Sequence, residues 1–382
     1  MRLGIVTSSF SMTPEDTTNA GVFARDLALE FCSSGNQVYI FTPRKSTKPG
    51  PSDPFHLVPI SWLGHKHDLA SVSLKNPWKL MELVSLMISG LWSLPRYVEK
   101  YRLERLLALW AIPSGLFCLR AKKKQGVPYG VWALGSDIWA RKRYPGGDRM
   151  VKKVLREAAF RFADGVTLAR EVARLGSAPC EFVPSVRRLR EGGPVSPYQP
   201  SPDYMHFLFI GRYEKNKGPD ILIKAMKSIL DKGLQAQLHL FGAGSMEDDL
   251  KAAIKGYEAL IQVSGYADRE TVIRYMQGCQ WLVIPSRIES IPLIFVDALQ
   301  MRIPVIGTDV GDLGQCIRQY GVGKVVSAAD PILLAETLEE VVLSKDKPIM
   351  GEWDKALEQF DLTRIARKCL TALAEKPASA PD

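Results

Sequence analysis

Short apolar runs alternate along the chain with longer segments whose apolar residues recur at helical spacing. Leu3 to Thr7 is the first apolar run and reads as a strand. Asn19-Ala-Gly21 leads into a helical run with apolar Val22, Phe23, Leu27 and Phe31, closed by Gly35 in the usual place after a helix C-terminus. Val38 to Thr42 follows as a strand and completes a βαβ unit. Gly130 to Leu134 and Gly165 to Leu168 read as later strands of the same sheet. A second alternation begins after residue 202, with strands at His206–Ile210, Gln237–Phe241, Leu260–Val263, Trp281–Pro285, Pro304–Gly307 and Gly323–Val326. Residues 184–202, rich in Pro, Gly and Ser, separate the two series. Strands alternating with helices imply mostly parallel, doubly wound sheets, and two in tandem put ligand groups at strand carboxyl ends, in the cleft between domains.

Residues 281–306 are the most informative stretch. The run Trp281 to Pro285 ends in a polar turn that carries Glu289, and a second carboxylate, Asp297, follows eight residues later. Between Ile291 and Leu299 everything but Asp297 and Pro292 is apolar. So apolar a helix is expected to be buried, where an unpaired carboxylate is costly. Asp297 is therefore expected to be paired or to await a ligand. Pro292 fits the first helical position, and the N–H groups near Ser290 and Leu293 are then free to face an anion.

At 382 residues the chain is too long for one ordinary core. Its six cysteines form no Cys-x-x-Cys pair, and its five histidines form no ligand set, His65-x-His67 reading as a solvated loop. Scattered cysteines suit a reducing compartment. The opening Met-Arg-Leu-Gly-Ile-Val reads as a strand and not as a signal peptide, so the expected location is the cytoplasm. The net charge of +9 is uneven: residues 1–200 carry 29 Lys/Arg against 16 Asp/Glu, and residues 201–382 carry 21 against 25. The basic half should seek an anionic partner, either lipid headgroups or a phosphorylated acceptor. No nucleic-acid motif accompanies the charge. Leu106 to Leu119 is uncharged for 14 residues, too short to span a bilayer, and reads as a core strand followed by a helix. Six of the eight tryptophans lie between Trp62 and Trp139, beside Lys122-Lys123-Lys124 and Arg141-Lys142-Arg143. That grouping is compatible with ordinary core aromatics and equally with docking on the inner face of the cytoplasmic membrane.

The loop Gly211-Arg212-Tyr-Glu-Lys-Asn-Lys217-Gly218 follows the first strand of the second series. A strand-end loop with Arg and Lys suits a diphosphate, Arg as a planar fork and Lys as a point charge. Asp220, after Gly218-Pro219, is expected to cap the next helix. Gly242-Ala-Gly244-Ser-Met-Glu247 is a partial dinucleotide fingerprint that lacks the third glycine, and a tight turn accounts for it.

Together these pieces resemble the retaining GT-B glycosyltransferases of family 4, which use nucleotide sugars. The resemblance runs over 206–345, through Gly211-Arg212, Lys217-Gly218-x-Asp220, Leu240-Phe-Gly242-Ala-Gly244, Pro285-Ser286-x-x-Glu289-Ser290, Asp297-Ala-Leu299 and Pro304-Val-Ile-Gly-Thr308-Asp309-Val-Gly311. It continues more thinly through Gly21, Trp110-Ala-Ile-Pro-Ser-Gly115, Gly126-Val-Pro-Tyr129 and Gly135-Ser-Asp137. The tail, Trp353 to Asp361 and an amphipathic helix, resembles the segment that crosses back onto the first domain. The implied fold is α/β: two doubly wound Rossmann-like domains facing a central cleft. The division is then an acceptor domain at 1–188 plus the returning helix 363–377, a linker at 189–202, and a donor domain at 203–362.

The resemblance also implies roles. Arg212 and Lys217 would hold the donor diphosphate, and Glu289 would contact the donor sugar. Asp297 would take the ribose hydroxyls. Gly211, Ser290, Ile291, Pro292 and Leu293 would line the donor, and backbone at Gly265-Tyr266 would face the nucleobase. Gly21 would let the first-domain loop close over the phosphates, and Asp137 would line the acceptor side. No cofactor and no metal is implied, the nucleotide-diphosphate sugar being a co-substrate and the acceptor a glycan or lipid-linked glycan. Three positions depart from the pattern: Asp297 stands where the family has Glu, Leu134 where a His is frequent, and Ser185-Val186 where Asn-Gly is usual. An epimerase or phosphorylase on the same frame, or a degenerate member that only binds glycan or lipid, remains open. A glycosidase could employ two carboxylates but has no use for Arg212 and Lys217.

Overall fold

A computed structural model describes residues 1–11, 21–43, 53–64, 77–143, 146–189, 194–327, 329–344 and 349–375. The loop at His65 and His67, residues 190–193 of the linker, and the end of the returning helix at 376–377 lie outside the described residues. The chain divides into two units, Met1–Arg187 with Leu362–Asp382, and Arg188–Asp361.

The first unit runs β1 (Arg2–Thr7), α1 (Val22–Ser33), β2 (Gln37–Pro43), β3 (His56–Ile60), α2 (Pro77–Tyr101), β4 (Arg105–Leu109), α3 (Leu116–Gln125), β5 (Tyr129–Ala133), α4 (Ser136–Trp139), α5 (Gly147–Glu157), β6 (Phe160–Ala163), α6 (Val166–Gly176) and β7 (Glu181–Phe182). Its strands are all parallel, in the order β3-β2-β1-β4-β5-β6-β7. The winding reverses beside β1, so right-handed crossovers put helices on both faces. The sheet's central strands are covered on both sides, which is why they read as continuous apolar runs such as Leu106–Leu109. The strand expected at Gly165–Leu168 is instead β6, just upstream. Asp164-Gly165 is the turn that follows it, and Val166 already opens α6.

The second unit runs β8 (Met205–Ile210), α7 (Pro219–Asp231), β9 (Ala236–Phe241), α8 (Glu247–Ala253), β10 (Ile261–Ser264), α9 (Arg269–Gly278), β11 (Trp281–Ile284), α10 (Leu293–Met301), β12 (Val305–Thr308), α11 (Leu313–Tyr320), β13 (Gly323–Val326), α12 (Pro331–Leu343) and α13 (Trp353–Gln359). Its parallel sheet has the order β10-β9-β8-β11-β12-β13. The core is built from Phe207, Phe209, Leu238 and Leu240 of the strands with Ile221, Met226 and Leu334 of the covering helices.

The last helix, α14 (Leu362–Ala374), belongs to the first unit. Its buried residues Leu362, Ile365, Ala366, Cys369, Ala372 and Leu373 recur at helical spacing and lie against α1. Arg105 Nε donates to the Leu373 carbonyl at 2.7 Å, which ties the helix end to β4. Among the described residues, no helix is long and apolar enough to cross a membrane.

Candidate active site

In the second sheet the chain winds outward from β8 through β9 to β10, then returns to add β11 on the other side. Adjacent strands whose helices leave in opposite directions open a crevice at their carboxyl ends, the usual ligand position in such sheets. The loops emerging there are residues 211–218, after β8, and 285–292, after β11. They carry Arg212 and Lys217 on one side and Glu289 on the other.

Backbone contacts lock the two loops together. The carbonyl of Asn216 accepts from Arg287 N at 2.8 Å and Ile288 N at 3.4 Å. Gly218 lies in the left-handed region, φ 72°, and a Cβ there would stand 2.0 Å from the Pro285 carbonyl oxygen. From below, Thr308 Oγ1 donates to the Ser286 carbonyl at 2.6 Å. Gly311, φ 56°, packs under the Glu289 carbonyl so tightly that a Cβ would meet its oxygen at 2.1 Å.

The result is an ion pair between Lys217 Nζ and Glu289 Oε2, both side chains largely buried. Ser286 Oγ adds a longer contact to the same oxygen at 3.4 Å. Arg212 is exposed on the same loop and makes no ion pair among the described residues. The adjacent Tyr213 is completely buried, and its hydroxyl donates to the Ser264 carbonyl at 2.6 Å, linking this loop to the end of β10. Next to Glu289, the Ser290 hydroxyl is buried with no hydrogen-bond partner among the described residues. A cation, a carboxylate and an orphaned hydroxyl therefore converge at one strand-end crevice.

A second pair braces the first. Arg287 donates through both terminal nitrogens to the two oxygens of Asp220, each at 2.8 Å, and also to the Lys215 carbonyl at 2.6 Å. Lys215 Nζ adds 2.9 Å to Asp220. Burial alone would raise the Asp220 pKa, but the hydrogen bonds from Arg287 and Lys215 outweigh it and hold it at about 2. This corrects the expected helix-cap role. Asp220 lies in the first turn of α7, where Gly218 is the cap residue and no side chain caps. Sequence pattern gave no hint of Arg287, because its partner is 67 residues away.

Other expected donor residues are placed as follows. Pro292 stands at the N-cap of α10 in extended backbone, not in its first turn, and the helix begins at Leu293. Proline's fixed φ is met at that position as well. Phe295 N donates to the Pro292 carbonyl at 2.9 Å, so the first-turn donors with no helical carbonyl to reach are those of Leu293 and Ile294. Ile291 is buried below them. Asp297 is wholly buried within α10 and has partners inside the chain, so its burial does not by itself call for a ligand. The Gly265 carbonyl accepts from Gly242 N at 3.0 Å, while Tyr266 is exposed. Gly242 abuts the Gly211 carbonyl, where a Cβ would come within 1.9 Å, so the partial dinucleotide fingerprint is a tight turn against the Arg212 loop.

Two expected residues belong to the first unit. Gly21 precedes α1 and packs on the backbone of Ser9 and Phe10, leaving a Cβ only 2.4 Å from the Ser9 carbonyl. Asp137 joins the carboxyl ends of two strands: Oδ2 accepts from Ala111 N at 2.6 Å and Oδ1 from Leu134 N at 3.2 Å. Burial pushes its pKa up to about 6, with the backbone donors pulling the other way. Among the described residues no group of three His, Cys, Asp or Glu could hold a metal ion.

Comparison with known proteins fits this geometry. Residues 198–355 match the family described as Glycosyl transferases group 1. An uncharacterized glycosyltransferase of Methanocaldococcus jannaschii is 30% identical over 152 residues, 39% of this chain and 42% of that protein, so the match spans under half its length. A D-inositol 3-phosphate glycosyltransferase of Paenarthrobacter aurescens is 27% identical over 363 residues, 85% of each chain. The fold matches sucrose-phosphate synthase of Thermosynechococcus elongatus with a TM-score of 0.78 at 18% identity, covering 97% of this chain and 98% of that one. It also matches Anabaena HepE in complex with UDP-glucose, with a TM-score of 0.70 at 14% identity, covering 97% and 99%. The chain has the GT-B fold, and its residues 198–355 match the glycosyl transferases group 1.

Proposed function

We propose that the chain transfers a hexose from a nucleoside-diphosphate sugar to a glycan or glycolipid acceptor, with retention at the anomeric carbon and without a metal ion. The observation that carries this reading is the Lys217–Glu289 pair held across the two strand-end loops. In the proposed complex, the Lys217 ammonium and the exposed Arg212 guanidinium bind the diphosphate and stabilise the charge that grows as the glycosidic bond breaks. Glu289 turns from Lys217 to the sugar hydroxyls. The Ser290 hydroxyl and the first-turn amides of α10 take phosphate oxygens.

The acceptor hydroxyl attacks on the face that the diphosphate leaves, its proton passing to the departing phosphate. No protein base is needed on the opposite face, which is why one cation–carboxylate pair suffices. Asp297 meets the ribose only by exchanging its present contacts for hydroxyls. In the proposed complex Tyr266, exposed beyond β10, lies beside the nucleobase, with backbone at Gly265. The UDP-glucose bound by HepE and the inositol phosphate in the relatives' names suggest the donor and acceptor classes to try first.

The test is product analysis with labelled donors over a panel of glycan and phosphorylated polyol acceptors. A new glycoside of unchanged anomeric configuration is expected from the native chain and none from Glu289→Ala, whose fold should persist. Isomerised free donor, a sugar phosphate, an inverted product, or undiminished transfer by Glu289→Ala would overturn the proposal.

A further inference from the structure

Helix α2 is apolar on two sides. Leu86, Gly90, Leu94 and Val98 face the core, and Gly90 approaches α3 so closely that a Cβ would stand 2.4 Å from the Phe117 ring. On the opposite side Met81, Val84, Ile88 and Trp92 recur every three or four residues and stand 47–64% exposed, with Trp78 at 73%. A helix that is apolar all round belongs in a buried setting, and so continuous an exposed stripe marks an interaction surface.

The neighbouring helices carry charge. α2 packs along α3, and α3 on α5. Lys123 and Lys124 are exposed on α3, and Arg149, Lys153 and Arg156 fall at i, i+4 and i+7 on one exposed face of α5. The acid beside them, Glu157, is held by Lys122 at 3.0 Å. Lys123 and Lys153 also bear on Glu157, which places the cations of α3 and α5 around one point. Glu99 is the exposed acid of these three helices. The Arg96 guanidinium lies 3.2 Å over the Trp92 ring, a cation at the edge of the apolar stripe.

We infer that α2 lies along a bilayer containing anionic lipid, with its outer face in the headgroup region and the cations of α3 and α5 on the lipid phosphates. Tryptophans beside an aliphatic stripe and flanking cations are what an interfacial helix requires, and α2 does not qualify as a spanning one. A second copy of the chain is the poorer occupant. A twofold contact through this face would gather two copies of the cationic row into one interface, a like-charge cost that anionic lipid relieves.

Flotation of the full chain with phosphatidylglycerol–phosphatidylcholine vesicles, and with phosphatidylcholine alone, tests this at low and high salt. Binding is expected to the anionic vesicles and to weaken with salt. Ile88→Gln with Trp92→Gln should weaken it by about tenfold or more. Lys153→Gln with Arg156→Gln should weaken it by about fivefold per cation removed and flatten the salt dependence. Both variants alter exposed side chains, and unchanged thermal unfolding would show that the fold persists. Failure of the native chain to float at low salt, or undiminished flotation of the Ile88/Trp92 variant, would overturn the inference. So would a dimer, seen without vesicles by sedimentation, that the same variant dissolves.

Discussion

Arg287 and Asp220 form a two-pronged pair, both oxygens of the carboxylate accepting at 2.8 Å, and it spans the loops that carry Glu289 and Lys217. A planar guanidinium matches a carboxylate in a way an ammonium cannot. Arg287→Lys and Asp220→Asn should each cost about 1.5–3 kcal/mol, the range for hydrogen bonds to charged groups. Because the pair fixes the spacing of Lys217 and Glu289, transfer should fall by about tenfold to a hundredfold. Urea unfolding and steady-state kinetics on the same preparations check both effects.

Lys217→Ala removes the cation at the crevice and leaves the loop backbone intact. Stability should fall by about 1–3 kcal/mol, because the largely buried Glu289 carboxylate loses its partner. The turnover should fall by about a hundredfold to a thousandfold, as when one stabilising donor is lost. A loss confined to KM would instead show that Lys217 only binds.

At Gly218 and Gly311 a side chain has no room, since it would stand 2.0 Å from the Pro285 carbonyl oxygen and 2.1 Å from that of Glu289. Both also have positive φ. Gly218→Ala and Gly311→Ala should therefore each destabilise by about 1–3 kcal/mol or more from backbone strain. Thermal unfolding should show it, with transfer lost in step because the crevice loops move.

Tyr213→Phe deletes a buried hydroxyl and strands the Ser264 carbonyl, which accepts from it at 2.6 Å. The expected cost is about 1–3 kcal/mol, read from denaturant midpoints. The effect on transfer should be smaller than that of Lys217→Ala, since Tyr213 supports the loop and does not reach the crevice.

Asp220 and Asp137 act on stability with opposite signs. Asp220, held at about 2 against an ordinary 3.8, contributes stability above pH 4 that is lost as pH falls toward 2. Asp137, raised from 3.8 to about 6, resists ionisation in the folded state, so its contribution is full below pH 4 and is lost as pH rises through 6. Unfolding free energies measured between about pH 2 and 7 should lose the acid-side slope in Asp220→Asn. They should lose the slope between the two Asp137 values in Asp137→Asn.

Hydrophobic periodicity by itself determined the alternation of strands and helices, the two parallel sheets, and the strand ends on which Arg212, Lys217 and Glu289 sit. Those follow from local spacing, since a strand buried on both faces must be apolar throughout and a loop ligand must be polar. It misread Gly165–Leu168, where an apolar run begins a helix, and it gave Asp220 a local cap. Only the tertiary structure decided which side chains meet. Lys217 reaches Glu289 across 72 residues and Arg287 reaches Asp220 across 67, and such pairings depend on strand order, which periodicity does not encode. The outer face of α2 is the same lesson reversed. Its tryptophans read in the sequence equally as core aromatics and as a docking surface, and only the packing of α3 against the other side leaves them facing outward.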